Sequence, residues 1–438
     1  PLMVAMSAVG YTGGSITTIM LNIPGDANAA TVIDGFPMTQ KGEGGRAVGA
    51  ALASSGLGGL ATVFIALAMV PLVLPLVMAV RAADMVFIIL LGITFISVLG
   101  RGSMVKGLLS GMLGLLVSLI GYQIITAVPR FTFGMVYLYD GIALIPVTMG
   151  LFALPEAVAL AAKGGTIAQA GTAIKGMKEV LEGVRDVFRH WGLWLRSTII
   201  GYIAGVIPGV GAMTAMFIAY GQAKATSKHP ELFGTGIIEG VIAPESANNA
   251  KESGALLTTL ALGIPGSAAM AILLGAFLMV GLIPGPEMMT MHLDLSLSLL
   301  MVIIIANAVA AVICLFAAPY VAKIAFVPGR FVVPLVVVLV LTGTFMFRQD
   351  FADVGMTLIW SVLGLAMRQF GYNRPALFLG FILGILFEKY LFLASGLGGP
   401  LFFMRPISLT LIVIIIAVII YGPISSLFKR NKRGAKKA

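Results

Sequence analysis

Thr258-Thr259-Leu260-Ala261-Leu262-Gly263-Ile264-Pro265-Gly266 closes an apolar run on a proline and a glycine, and the chain carries a matching phrase earlier, Thr17-Thr18-Ile19-Met20-Leu21-Asn22-Ile23-Pro24-Gly25. Pro265 follows Pro24 by 241 residues in a chain of 438, so the two phrases mark a duplication of large halves. A proline inside a helix removes one N–H and crowds the carbonyl a turn back, and a glycine beside it lets the backbone leave helical geometry. Each Pro-Gly pair is therefore expected to end a helix. What surrounds those ends decides what they are for.

The surroundings are lipid-like. Hydrophobic residues make up 59% of the chain and charged residues 11%, with a mean hydropathy of +1.04, whereas soluble domains carry roughly a quarter charged residues. A water-soluble fold is excluded. Apolar runs such as 107–125, 301–318 and 409–424 approach the ~20 residues that cross ~30 Å of hydrocarbon as helix. They lack the alternation of barrel strands, and only helices or closed barrels satisfy their own backbone in lipid. The fold class is an all-α polytopic integral membrane protein, with about ten or more spans or half-spans expected on that ~20-residue length.

The formal charge of +10 suggests nucleic acid in a soluble protein, but here Lys and Arg sit in short loops and in the tail Lys429, Arg430, Lys432, Arg433, Lys436, Lys437. The positive-inside rule explains them without a nucleic-acid partner. With the C-terminus cytoplasmic, counting spans backward places Lys323, Arg330, Arg368 and Arg374 inside. Reading 197–222 as one crossing puts the polar linker 163–196 inside too, together with Arg101, Lys106, Lys41 and Arg46; Arg81 is the exception. The expected organisation is a first repeat at 1–162, a cytoplasmic linker at 163–196, a second repeat at 197–406, and a final transmembrane helix with a basic tail at 407–438. By that parity the Pro24 and Pro265 segments open to opposite sides, giving inverted structural repeats with Pro-Gly-broken helices and re-entrant hairpins, an arrangement common in secondary transporters.

A further break lies at Pro208-Gly209-Val210-Gly211. Its partner under the same offset falls before residue 1, so a further N-terminal helix with a similar Pro-Gly sequence is expected in the native protein.

Broken helices at membrane depth expose N–H groups that suit an anion and carbonyls that suit Na⁺. The small hydroxylic neighbours Ser15, Thr17, Thr18 and Asn22 in one half, and Thr258, Thr259 and Ser267 in the other, can bind a carboxylate or a hard cation without a buried charge, or can simply let helices pack closely. The candidate substrate site comprises these residues with Pro24, Gly25, Pro208, Gly209, Gly211, Pro265 and Gly266, and Na⁺ is placed near Asn22, Gly25, Gly263 and Gly266. Asn248 and Asn249 join it from the polar stretch 243–250, which reads either as a binding segment at a hairpin entrance or as a capped helix start on a solvated loop. Glu156 and Glu388 are membrane carboxylates open to functional or structural pairing. Cys314 reads as a small core residue. His190, His229 and His292 have no metal-ligand spacing, and no nucleotide loop or nucleophile triad appears, so no cofactor and no enzymatic activity are expected.

Further phrases extend the pattern: Tyr11-Thr12-Gly13-Gly14-Ser15, Asp34-Gly35-Phe36-Pro37, Gly45-Arg46-Ala47, Arg130-Phe131-Thr132-Phe133-Gly134, Asp140-Gly141-Ile142 and Gly281-Leu282-Ile283-Pro284-Gly285-Pro286. Together with the Pro-Gly segments and Ala243 to Ala250 they cover nearly the whole chain in order. On these residues the sequence resembles the large membrane subunit of the tripartite tricarboxylate transporter family, the TctA-like proteins. The resemblance implies a bacterial inner-membrane secondary transporter driven by an ion gradient, usually Na⁺. It implies a small TctB-like membrane subunit and a TctC-like periplasmic binding protein that delivers a carboxylate such as citrate. The family's first Pro-Gly helix has no counterpart in this sequence.

The expected mechanism has the binding protein docking on outer loops that include 224–251 and releasing its anion to a pocket between Pro-Gly hairpins. Na⁺ crosses with it, and one domain moves as an elevator or by rocking, the paired hairpins favouring the elevator. A passive channel with two inverted half-helices is the alternative from another class, and a membrane scaffold without transport is a third.

Overall fold

The computed structural model describes residues 1–21, 28–99, 103–123, 126–163, 174, 176–208, 211–324 and 329–434. The first third runs through α1 (Leu2–Leu21), α2 (Val32–Gln40), α3 (Gly44–Ala79), α4 (Ala82–Leu99) and α5 (Met104–Val117). A short antiparallel ladder of β1 (Gly121–Tyr122) and β2 (Pro129–Arg130) follows, then α6 (Leu144–Thr148), one π-helical turn at Met149–Ala153, and α7 (Leu154–Lys163). Next come α8 (Met177–Arg189), α9 (Trp191–Val206), α10 (Gly211–Thr226), α11 (Glu239–Leu262), α12 (Ala268–Met279) and α13 (Pro286–Thr290). The last are α14 (Leu293–Ile324), α15 (Gly329–Arg348), α16 (Phe351–Gln369), α17 (Arg374–Gly398) and α18 (Pro406–Gly434).

Five of these segments are long and apolar enough to cross a bilayer, within α1, α3, α14, α16 and α17, and shorter apolar helices accompany them in α4, α5, α6–α7, α12, α15 and α18. The chain is a multi-pass helical membrane protein, as its composition requires.

It divides into two compact units, each built from both halves of the sequence. Unit 1 takes Pro1–Val77, Lys163–Leu273 and Val280–Val332; unit 2 takes Met78–Ala162, Leu274–Met279 and Val333–Ala438.

Unit 1 is organised around α11. From Gly240 to Ala261 every residue of this helix is buried, although it includes Glu245, Asn248, Asn249, Lys251 and Glu252. Such a helix is not a lipid-facing span; α1, α2, α9 and α14 pack around it. The α9 backbone lies directly against it: a Cβ added at Gly205 would come within 2.0 Å of the Lys251 carbonyl oxygen. Helix α10 folds back along α9. Its residues Met216, Tyr220 and Ala223 share an apolar cluster with Leu193 of the first turn of α9 and Ala243 of the first turns of α11. His190, which caps α9, lies 3.5 Å from Glu239, which begins α11. The expected single crossing at 197–222 is thus two antiparallel helices joined at the Pro208 break. The break that interrupts the helix also reverses the chain.

That reversal also corrects the expected docking loop. Residues 227–238 return to the end of unit 1 where α8 meets α9, held by the Asp34 carboxylate of α2, which accepts from the Gly234, Gly236 and Ile237 amides at 2.8, 2.8 and 3.2 Å. Residues 240–251 are buried helix and offer no docking surface.

Unit 2 packs α17 against α5 and α4, with α16 against the π-helical turn. Three of its carboxylates are paired with arginines. Glu388 takes Arg130 through both oxygens at 2.7 and 2.8 Å, Glu156 takes Arg374 at 2.9 Å and Arg368 at 3.3 Å, and Asp84 takes Arg405 at 2.5 Å and Ser408 at 2.6 Å. Of the two readings open for Glu156 and Glu388, structural pairing describes both.

Candidate functional site

The helix ends beside Pro208 and Pro265 lie together in unit 1. Helix α9 ends at Val206 and α10 begins at Gly211, with Pro208 between them. Helix α11 ends at Leu262, where Gly263 takes the left-handed conformation (φ 69°) and its N–H bonds back to the Thr259 carbonyl. A side chain at Gly263 would also press on the Pro284 carbonyl oxygen at 2.9 Å, so the position combines a helix stop with a close backbone approach. Thr258 Oγ1 donates to the Val206 carbonyl at 3.1 Å, joining the end of α11 to the end of α9. Gly266 lies against the Gly205 carbonyl, which a Cβ there would approach to 2.8 Å. Ser267 caps α12, its Oγ accepting from the Met270 N–H at 3.2 Å.

A second polar cluster sits deeper along α11. Asn249 Nδ2 donates to Thr12 Oγ1 of α1 at 2.6 Å and to Asn307 Oδ1 of α14 at 2.9 Å. Lys251 pairs with Glu252, and its ammonium lies 4.5 Å from the centre of the Tyr11 ring. The Asn248, Asn249 and Glu252 side chains each leave a fully buried oxygen, Oδ1, Oδ1 and Oε2, without a hydrogen-bond partner. Leaving such groups unmet costs roughly 1–3 kcal/mol each, so their retention on one helix marks a place where a ligand or water is expected rather than apolar packing.

The other expected site residues are distributed as follows. Ser15 and Thr17 spend their hydroxyls on the Thr12 and Gly14 carbonyls of their own helix, at 2.7 and 2.9 Å, and Thr259 does the same with Ala255 at 2.6 Å. Thr18 is buried on α1, and Pro265 is buried beyond the end of α11. Asn22, Pro24, Gly25 and Gly209 lie outside the described residues. Asn248 and Asn249 belong neither to a hairpin entrance nor to a solvated helix start; they are in the buried middle of α11. Pro244 can stand inside that helix because it removes one N–H without ending it when packing on every side holds the path.

Several groups here are not among the expected site residues: Thr12, Asn28, Thr31, Asp34 and Asn307, and, although the polar stretch around them stands out in the sequence, Glu245 and the Lys251–Glu252 pair. Their signal was present, since ionisable and amide side chains flanked by apolar residues are functional by default in a membrane protein.

The pattern of the tripartite tricarboxylate transporter TctA family matches residues 1–379. The chain belongs to that family. As a TctA-family protein it is a subunit of a tripartite tricarboxylate transporter, a transport system and not an enzyme family, which in general works with TctB and TctC partners. An uncharacterized 52.8 kDa protein of the TAR-I ttuC' 3'region of Agrobacterium vitis is 33% identical over 429 residues, covering 96% of this chain and 84% of the relative. A second uncharacterized protein, of the TAR-II ttuC' 3'region of the same organism, is 32% identical over 236 residues, covering 53% of this chain and 97% of the relative. No solved structure matches.

Proposed function

We propose that this TctA-family subunit is a secondary transporter of the bacterial inner membrane that imports a carboxylate, citrate or another tri- or dicarboxylate, with Na⁺ as a coupling ion. A TctC-like periplasmic protein delivers the anion, and a TctB-like small membrane subunit completes the complex. What carries the reading is the meeting of the two broken helices at Thr258 and Val206. The starts of α10 and α12 follow directly on those breaks, and unbonded N–H groups at a helix start favour an anion. Hydroxyls at Thr258 and Ser267 add neutral donors. Carbonyls freed at the breaks, with Gly263 and Gly266, suit Na⁺.

The repeat supports alternating access. Removing the 241-residue offset, Asn249 corresponds to Ala8 and Lys251 to Gly10, so Thr12 meets the equivalent of Ala8 and Tyr11 the equivalent of Gly10. In the same way Gly56 meets Ala311, the equivalent of Val70, and Gly59 meets Asn307, the equivalent of Ala66. In both pairs one number rises as the other falls. Antiparallel packing of this kind supports the reading of inverted repeats, as in inverted-repeat transporters. Unit 1 spans the positions of the Pro-Gly sequences of both halves and would be the moving domain of an elevator.

The test is uptake of labelled citrate into liposomes holding the full subunit and its two partners, with and without an inward Na⁺ gradient. Saturable uptake that needs the binding protein and follows the gradient, and that falls in Asn22→Ala and Thr258→Ala, is expected. Uptake indifferent to the gradient and the binding protein would instead identify a channel.

A further inference from the structure

Glu245 is the one carboxylate of the α11 cluster that no described Lys, Arg or His approaches. It has no exposed surface. Its Oε1 accepts from Asn28 Nδ2 at 2.8 Å and from Thr31 Oγ1 at 2.6 Å, while Oε2 has no hydrogen-bond partner. One turn on, the Asn248 side chain lies beside the same carboxyl, and its Oδ1 and Nδ2 are both fully buried and unpartnered.

The charged and titratable groups around it are committed elsewhere. On α11, Lys251 pairs with Glu252, and Glu239 pairs with His190 from the α8–α9 junction. On α2, Asp34 is held by three backbone amides and by the Tyr220 hydroxyl of α10 at 2.8 Å. On α1, the Tyr11 ring faces the Lys251 ammonium. The Tyr202 hydroxyl of α9 is buried and makes no hydrogen bond, and α14 contributes the neutral Asn307.

An ionised carboxylate in that setting is an isolated buried charge, which is far more costly than a neutral acid. A proton on Oε2 removes that isolated charge and turns the oxygen into a donor, for which the unpartnered Asn248 Oδ1 is an available acceptor. Sodium fits less well, since Asn28 and Thr31 present donors to this carboxyl rather than further oxygens for a cation shell.

We propose that Glu245 is a proton-carrying site of this transporter. It holds a proton on Oε2 in this conformation, shared with Asn248, and releases it at another stage of the cycle, so that a proton accompanies the carboxylate and the sodium ion. The O–H bond forms with a proton from water on one side and breaks to water on the other; no electrons move. The inference rests on the transport reading above, but its first test does not.

Infrared difference spectroscopy of the purified full subunit in lipid, wild type against Glu245→Gln, reads the protonation state without substrate. Glutamine keeps the shape, accepts from Asn28 and Thr31, and can donate to Asn248. The expected result at neutral pH is a protonated-carboxyl C=O band in the wild type that is lost in the variant. An ionised-carboxylate band lost in its place overturns the proposal whatever the protein carries. In proteoliposomes, the ratio of pH-gradient-driven to Na⁺-gradient-driven citrate uptake should collapse in Glu245→Gln. An unchanged ratio, or selective loss of the Na⁺ response, overturns the coupling role while leaving the transport assignment standing.

Discussion

The Thr258 hydroxyl on α11 donates to the Val206 carbonyl at the end of α9, 3.1 Å away, and so fastens together two helices that stop at neighbouring breaks. Val206 is within the last turn of α9, whose carbonyls have no partner further along the helix. Thr258→Val keeps the shape and removes the donor. A loss of about 1 kcal/mol is expected, read as a lower melting temperature in detergent, together with weaker citrate uptake; Thr258→Ser should restore both.

Lys251 and Glu252 form a buried pair, with side-chain exposures of 2% and 0%. Removing one partner leaves a lone buried charge, so Lys251→Met or Glu252→Leu alone should cost about 3–5 kcal/mol, while the double replacement should be close to neutral or even stabilising. A double-mutant cycle on unfolding measures the difference. Equal and additive losses would mean that the pair is not coupled.

Asp34 gathers three backbone amides and the Tyr220 hydroxyl. Bonds to a charged acceptor are worth about 1.5–3 kcal/mol each, and several converge here. Asp34→Asn should therefore loosen residues 234–237 more than any other part of unit 1, seen as faster backbone amide exchange there.

His190 and Glu239 give a pH signature at the α8–α9 junction. Their hydrogen bond raises the imidazole above its ordinary 6.5 and lowers the carboxyl below its ordinary 4.5. The histidine's share of stability is complete below 6.5 and is lost as pH rises through the raised value. The glutamate's share is complete above 4.5 and is lost as pH falls through the lowered value. The pair thus contributes fully between those limits. Melting temperature followed from pH 5 to pH 8 should fall more in the wild type than in His190→Gln, by a modest amount because both groups are partly exposed.

How far the sequence could be read follows from the same residues. The helix stops were legible because Pro and Gly act locally: α9 and α11 end where Pro208 and Gly263 require. The direction of α10 was not legible, since a break can redirect a chain as easily as interrupt it, and only the packing of Leu193 against the cluster of Tyr220 and Ala223 decides between them. Polarity misled at 243–250. Asn248 and Glu245 look like loop residues beside an apolar run, yet they are the buried centre of unit 1, where their partners Asn28 and Thr31 come from more than 200 positions away. Glu156 and Glu388, the membrane carboxylates that stand out in the sequence, are already neutralised by arginines.

The most direct test of the account is whether a carboxylate binds at the paired breaks of unit 1. Ser267, at the start of α12, can be changed to cysteine in a Cys314→Ser background, leaving one thiol in the chain, and its labelling rate by a small maleimide followed in membranes with and without citrate and Na⁺. The account predicts that citrate slows labelling, and slows it more when Na⁺ is present. Unaltered labelling in a variant that still accumulates citrate would place the substrate elsewhere and contradict it.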